Sequence, residues 1–223
     1  MWSQDSEVQM SRIYSLISDM KGGLQYVLSN SRLKILLLYI LAAHFFVGAL
    51  SVMIPVMAKF VSNDNLNMLG ILETVLGAGF VVGALFLSRL NEKKFNIDSL
   101  PKVFSVVGIS IIGIGIIAFF DQLPVILFAV PVFVIGYCIV YASINWKTFI
   151  QINTPFEKLG RVAAISSLVG DITLPLAFAL FGFLLDRLDF VILTIFSGIL
   201  LIAFVYLIGL TVRKRMAGMS LAR

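Results

Sequence analysis

A chain of 223 residues that is 60% apolar and only 13% charged, with a mean hydropathy of +1.02, is not a water-soluble globule, since such proteins carry about a quarter of their residues charged and under half apolar. A single cysteine, Cys138, inside an apolar run excludes a disulfide scaffold and reads as inert packing. A net charge of +5 that is scattered between apolar stretches, rather than gathered on one patch, excludes nucleic-acid binding.

The first 31 residues are not a secretory signal, because Asp5 and Glu7 stand where positive charge is needed and no apolar core follows within reach of a cleavage site. Ile13, Leu16, Ile17, Met20, Leu24 and Val27 recur at helical spacing, with Arg12, Asp19 and Lys21 on other faces and Gly22-Gly23 as a weak point. This predicts a cytoplasmic linker helix lying at the membrane interface over residues 1–31, the alternative being a partly ordered cytosolic leader.

Six apolar runs follow, each of about the 20 residues needed to cross roughly 30 Å of hydrocarbon as a helix. They are placed at Leu33–Ala58, Leu69–Leu90, Val103–Phe120, Val125–Asn145, Val162–Leu185 and Phe190–Val212, within a domain of residues 32–215 that is followed by a short tail, 216–223. The runs are continuously apolar, without the alternation of barrel strands. The fold class is therefore all-α, a polytopic six-helix membrane protein.

His44 lies in the first span, about 16 Å from its inner end and near the midplane. Gly48, Ser51 and Pro55 continue its stripe of small or polar residues. The second span holds Glu73 within about two turns of the outer end, then Gly77, Gly79 and Gly83, of which the last two have the small-xxx-small spacing of close helix packing. The third span contains Gly108, Gly113 and Gly115 and no ionisable residue, as expected of a helix that faces lipid. In the fourth, Tyr137, Tyr141 and Asn145 at i, i+4 and i+8 share a face and are expected to line a polar path.

The stretch Trp146–Arg161 is expected to be a longer inner loop, broken at Pro155, with an amphipathic segment at the surface. Asp171 lies deep in the fifth span, about 14 Å in. It could hydrogen-bond to Ser167 one turn back, cap a break at Pro175, or serve function. The sixth span resembles the third in lacking ionisable groups.

An aspartate at a helix centre costs about 2.5–3.5 kcal/mol on insertion, so ionisable groups at that depth mark function by default. Neither Glu73 nor Asp171 has a lysine or arginine deep in a span for a partner. Such groups can carry a proton or hold a cation. Of the 17 lysines and arginines, only Lys59 and Arg187 fall outside when both termini are placed inside, which fixes the orientation by the positive-inside rule. Three spans per group is an odd number. The two groups therefore run oppositely through the bilayer, with an acid in the middle helix of each, in the manner of inverted transporter repeats.

The segment Asp19-Met-Lys-Gly-Gly-Leu-Gln-Tyr-Val27, running into Ser31-Arg-Leu33, resembles the link between the halves of major facilitator superfamily exporters. Gln151-Ile-Asn-Thr-Pro155-Phe-Glu-Lys-Leu-Gly160-Arg161-Val162 resembles the stretch before the eleventh helix in the branch that contains macrolide-efflux proteins and the enterobactin exporter. Gly83 through Lys94 is similar to a degraded form of the superfamily's glycine-and-basic loop.

The resemblance covers nearly the whole chain but only the C-terminal half of such a transporter. It implies half of a major facilitator fold in a bacterial cell membrane, with both termini cytoplasmic. The first, second, fourth and fifth spans would line the cavity or the interface between halves. It also implies a partner, either a second six-helix half or another copy of the chain.

The expected function is proton-coupled efflux of a small lipophilic or amphipathic molecule. Glu73, Asp171 and His44 would handle protons or substrate, and Tyr137, Tyr141 and Asn145 would line the path. The alternative is a six-helix substrate-binding subunit of an energy-coupled uptake complex. Enzymatic activity, metal and cofactor are not expected: His44 is the only histidine, and neither HExxH nor GxxxxGK[ST] is present.

Overall fold

The computed structural model describes residues 18, 20–62, 67–89, 96–120, 124 and 126–220. Among them six long helices account for the six apolar runs, and there is no strand. These are α1 (Ser31–Ser62), α2 (Asn67–Leu87), α3 (Leu100–Phe119), α4 (Ile126–Asn153), α5 (Phe156–Leu185) and α6 (Phe190–Ser220), with a short 3-10 turn, Ile97–Ser99, leading into α3. The protein is a multi-pass membrane protein.

The starts of the helices are written in local chemistry. Asn30 caps α1, its Oδ1 accepting from the amides of Arg32 at 3.0 Å and Leu33 at 3.4 Å. Asp189 does the same for α6, accepting from Val191 at 2.8 Å and Ile192 at 3.3 Å. Pro155 opens α5, where its missing N–H leaves no gap in the ladder, and its carbonyl accepts from Lys158.

One expectation fails at this point. The stretch Trp146–Arg161 is not a loop with an amphipathic surface segment: α4 continues to Asn153, only Thr154 and Pro155 interrupt, and α5 begins at Phe156. Hydropathy marks where a helix leaves hydrocarbon. It does not mark where the backbone ladder ends, and polar residues extend the ladder on into water. In the same way α6 runs on to Ser220.

Packing follows a two-fold pattern. The most extensive seam joins α3 to α6; α1 packs on α5 as α2 packs on α4, α3 on α4 as α1 on α6, and α1 on α2 as α4 on α5. Exchanging α1 with α4, α2 with α5 and α3 with α6 maps every one of these pairs onto another or onto itself. Two inverted three-helix repeats, half of a major facilitator fold, produce that relation.

Lipid offers helices little hydrophobic reason to associate, so close approach depends on small residues. A Cβ on Gly198 would stand 2.6 Å from the Gly108 carbonyl, and one on Gly108 would stand 2.9 Å from the Gly198 carbonyl. Gly79 and Gly136 meet reciprocally across α2 and α4, their Cα atoms flanking each other's backbone. Gly83 rests on Tyr137 and Gly115 on Ile195, whereas Gly77 and Gly113 touch nothing within 4 Å. The outward apolar residues of α3 and α6, among them Ile109, Ile116, Ile192 and Phe196, are exposed, as lipid-facing surfaces are. Cys138 is buried and free.

Residues 20–29 form a helix that docks on the start of α5. Gly23 is not a weak point: a Cβ there would sit 3.1 Å from Arg161 Cβ, and Val27 is buried beside it. Lys158 Nζ lies 4.3 Å from the centre of the Tyr26 ring. The two segments that carry the family resemblance therefore meet in space. Met20, Leu24 and Leu28, at i, i+4 and i+8, form an exposed apolar stripe on this helix. Arg12, Ile13, Leu16, Ile17 and Asp19 lie outside the described residues, as do Lys93 and Lys94 of the glycine-and-basic segment.

Candidate functional site

α1, α4 and α5 enclose a cavity of about 580 Å³. Its polar lining comes from His44 on α1, Ser143, Lys147 and Gln151 on α4, and Ser166, Ser167 and Asp171 on α5, with Trp146 and Gly160 completing the wall. His44 and Asp171, separate in sequence, are brought together with two residues of the family motif, Gln151 and Gly160.

His44 is held by its own helix. Nδ1 stands 2.8 Å from the Ile40 carbonyl; a carbonyl only accepts, so Nδ1 bears a proton and donates it there. The ring centre lies 5.5 Å from that of Trp146, and the far edge packs on Gly170, the neighbour of Asp171. A Cβ on Gly170 would meet Nε2 at 2.5 Å and Cδ2 at 2.6 Å, so only glycine leaves the imidazole in place. Gly170→Ala is expected to displace the ring and shift Trp146 fluorescence in a folded protein. An unchanged emission spectrum would contradict this geometry.

Asp171 is the sixteenth residue of the 30-residue α5, about 22 Å from its start, and is exposed on the bundle surface. Pro175 lies within the same helix. Because proline has no N–H, the main-chain carbonyl four residues earlier, that of Asp171 itself, loses its helical partner. Helix α5 continues through Pro175, so Asp171 does not cap a break there.

The other sequence candidates lie elsewhere. Glu73 is exposed on α2 about 9 Å from its start, and it is not among the residues around the cavity that holds Asp171. A shallow groove beside it is formed by Asn67, Gly70, Ile71, Thr74 and Val75. Tyr137 packs against Gly83 and Phe86 of α2, and Tyr141 is half-buried one turn on.

Asn145 does not line the cavity. It is fully buried, its Nδ2 donating to Ser99 Oγ at 2.6 Å and the Asn96 carbonyl at 3.2 Å, so that it clamps the turn entering α3. Its Oδ1 has no partner among the described residues. Asn145→Ala should lower the unfolding free energy by about 1–2 kcal/mol, visible as a lower thermal midpoint.

The face of α4 turned to the cavity is instead the stripe Ser143, Lys147, Gln151, two residues or about 200° away from Asn145. That stripe has the same i, i+4, i+8 spacing as the tyrosine stripe. Its polar residues near Trp146 were the available signal, obscured because the helix was expected to end at Asn145. Arg161 and Pro155 lie at the start of α5, Arg161 against Gly23.

The two helices that carry acids are also the least covered. Only 17% of the apolar window of α2 and 22% of that of α5 are buried, against 33–50% for the other four helices. The chain matches the family described as transmembrane secretion effector, within the major facilitator superfamily, over residues 1–220. No curated protein and no solved structure matches it. Six apolar spans arranged as inverted repeats agree with that match, and the chain belongs to the transmembrane secretion effector family of major facilitator transporters.

Proposed function

We propose that the chain is the C-terminal half of an exporter that moves a small lipophilic or amphipathic molecule, carrying positive charge, outward in exchange for protons. Asp171 carries the proposal. A carboxylate exposed at the middle of a membrane helix is stable there only against water, a cation or another protein surface, and it lies on one of the two least covered spans beside the His44 cavity. The same exposure calls for a second six-helix surface over α2 and α5, supplied by another half or by a second copy. Glu73 on the symmetry-related α2 gives the other repeat its acid, and Tyr137 and Tyr141 back the path from behind α4.

The excess of lysines and arginines on one side supports placing both termini in the cytoplasm, and the family resemblance supports a bacterial cell membrane. Lys147 and Gln151 would then stand at the inner mouth of the cavity. In alternating access, protonation of Asp171 would release the cation outward, and deprotonation would restore the empty site.

The test uses cells that express the chain, loaded with a fluorescent lipophilic amine. Export that stops when a protonophore collapses the gradient is the expected result. Export that persists under the protonophore and stops on ATP depletion would overturn the proposal, and co-purification of the chain with an ATPase without export would favour the energy-coupled uptake subunit.

A further inference from the structure

We infer that the bundle holds a second, apolar subsite that takes one phenyl-sized or short branched aliphatic group of the exported molecule, walled off from the polar cavity by the His44–Trp146 ring pair. This deepens the export proposal and rests on it.

The subsite is a partly open pocket at the junction of α1, α3, α4 and α6. Phe46, Leu50, Phe104, Val107, Ala142 and Leu201 form its walls, every one of them buried. Its volume is about 150 Å³, that of an engineered apolar protein cavity able to hold benzene. Native interiors hold few voids larger than a water molecule, and the lining of such a void forfeits its dispersion contacts. An occupant restores them. The room exists because α1 and α4 place alanines, Ala43 and Ala142, where larger side chains would close it.

His44, Ser143 and Trp146 line both this cavity and the polar one. The two spaces are therefore neighbours across a wall one side chain thick. His44 is tethered to the Ile40 carbonyl on one side of that wall. A molecule with its charged head near Asp171 can send a single apolar arm past the ring pair. The ligand class is an organic amine or quaternary ammonium with a phenyl-sized substituent on a short chain.

Trp2 and Trp146 are the only tryptophans, so in a Trp2→Phe background Trp146 reports binding. The protein in lipid nanodiscs is titrated with butyltrimethylammonium and with 4-phenylbutyltrimethylammonium, and partition into empty nanodiscs is subtracted. Head and linker are shared, so the ratio of affinities isolates the ring.

The expected advantage of the phenyl probe is roughly tenfold or more, as for burial of an aromatic side chain. Ala142→Leu and Ala43→Leu, which fill the space from opposite helices, should each cut that advantage to below about threefold in a protein that still folds and still binds butyltrimethylammonium, with some lowering of the thermal midpoint from overpacking. A full advantage in either folded, filled variant, or no advantage in the parent, overturns the inference. If both filled variants fail to fold, Leu50→Ala decides: enlarging the space should let a naphthyl probe bind as well as the phenyl one, and continued exclusion of naphthyl overturns the inference. Asp171→Asn judges the export proposal separately, since it should weaken both probes alike without changing their ratio.

Discussion

Asp171→Asn is expected to reduce proton-driven export by more than about tenfold, equivalent to about 1.4 kcal/mol or more in the coupled step, while the protein still folds and inserts. The substitution keeps the shape of the side chain and removes its capacity to exchange a proton. Asp171 is exposed at the middle of α5, so no packing is lost.

The diagnostic measurement is export against the size of the proton gradient, with the melting midpoint as a folding control. The parent should respond to the gradient, and Asp171→Asn should give a low, flat response. Glu73→Gln should also weaken coupling, but less, because Glu73 stands outside the cavity that holds His44 and Asp171. Normal gradient-dependent export in both variants across a range of pH would remove these acids from the mechanism.

Gly198→Leu should prevent formation of the bundle altogether. The contact across α3 and α6 is made by two glycines whose added Cβ atoms would stand 2.6 and 2.9 Å from each other's carbonyl oxygens. The obstacle is backbone, which cannot turn aside as a side chain can. A branched side chain there must push the helices apart along their most extensive seam, beyond the ordinary 1–3 kcal/mol of overpacking.

Loss of a monodisperse peak on size exclusion in mild detergent is the expected result. Gly113→Leu, on the partner helix α3 but with nothing within 4 Å of an added Cβ, should be tolerated. Equal behaviour of the two variants would show that glycine spacing does not control this packing.

Most of the architecture was legible in the chain. Hydropathy located six spans because a membrane helix must satisfy its backbone internally and cover about 30 Å with apolar side chains, and parity of three made the two groups run oppositely. Asp171 and His44 stood out because ionisable groups are costly at their depth. Glycine spacing at 79 and 83 anticipated close approaches that are present.

What the sequence alone determined, then, is the number of crossings, their relative direction and the depth of each polar residue, since depth is simply rise per residue counted from the end of an apolar run. Direction around each helix axis was decided by tertiary packing. Asn145, which shares a stripe with Tyr137, turns inward to clamp the entry to α3, while the opposite stripe of Ser143, Lys147 and Gln151 opens to the cavity.

The length of α4 beyond the hydrocarbon is a further case, because polar residues continue a helix without any change in periodicity to mark it. The meeting of His44, Gly170 and Asp171 also depended on which helices pair. Periodicity within one helix carries no record of its partner, and only the crossing of α1 over α5 brings those three residues to one wall.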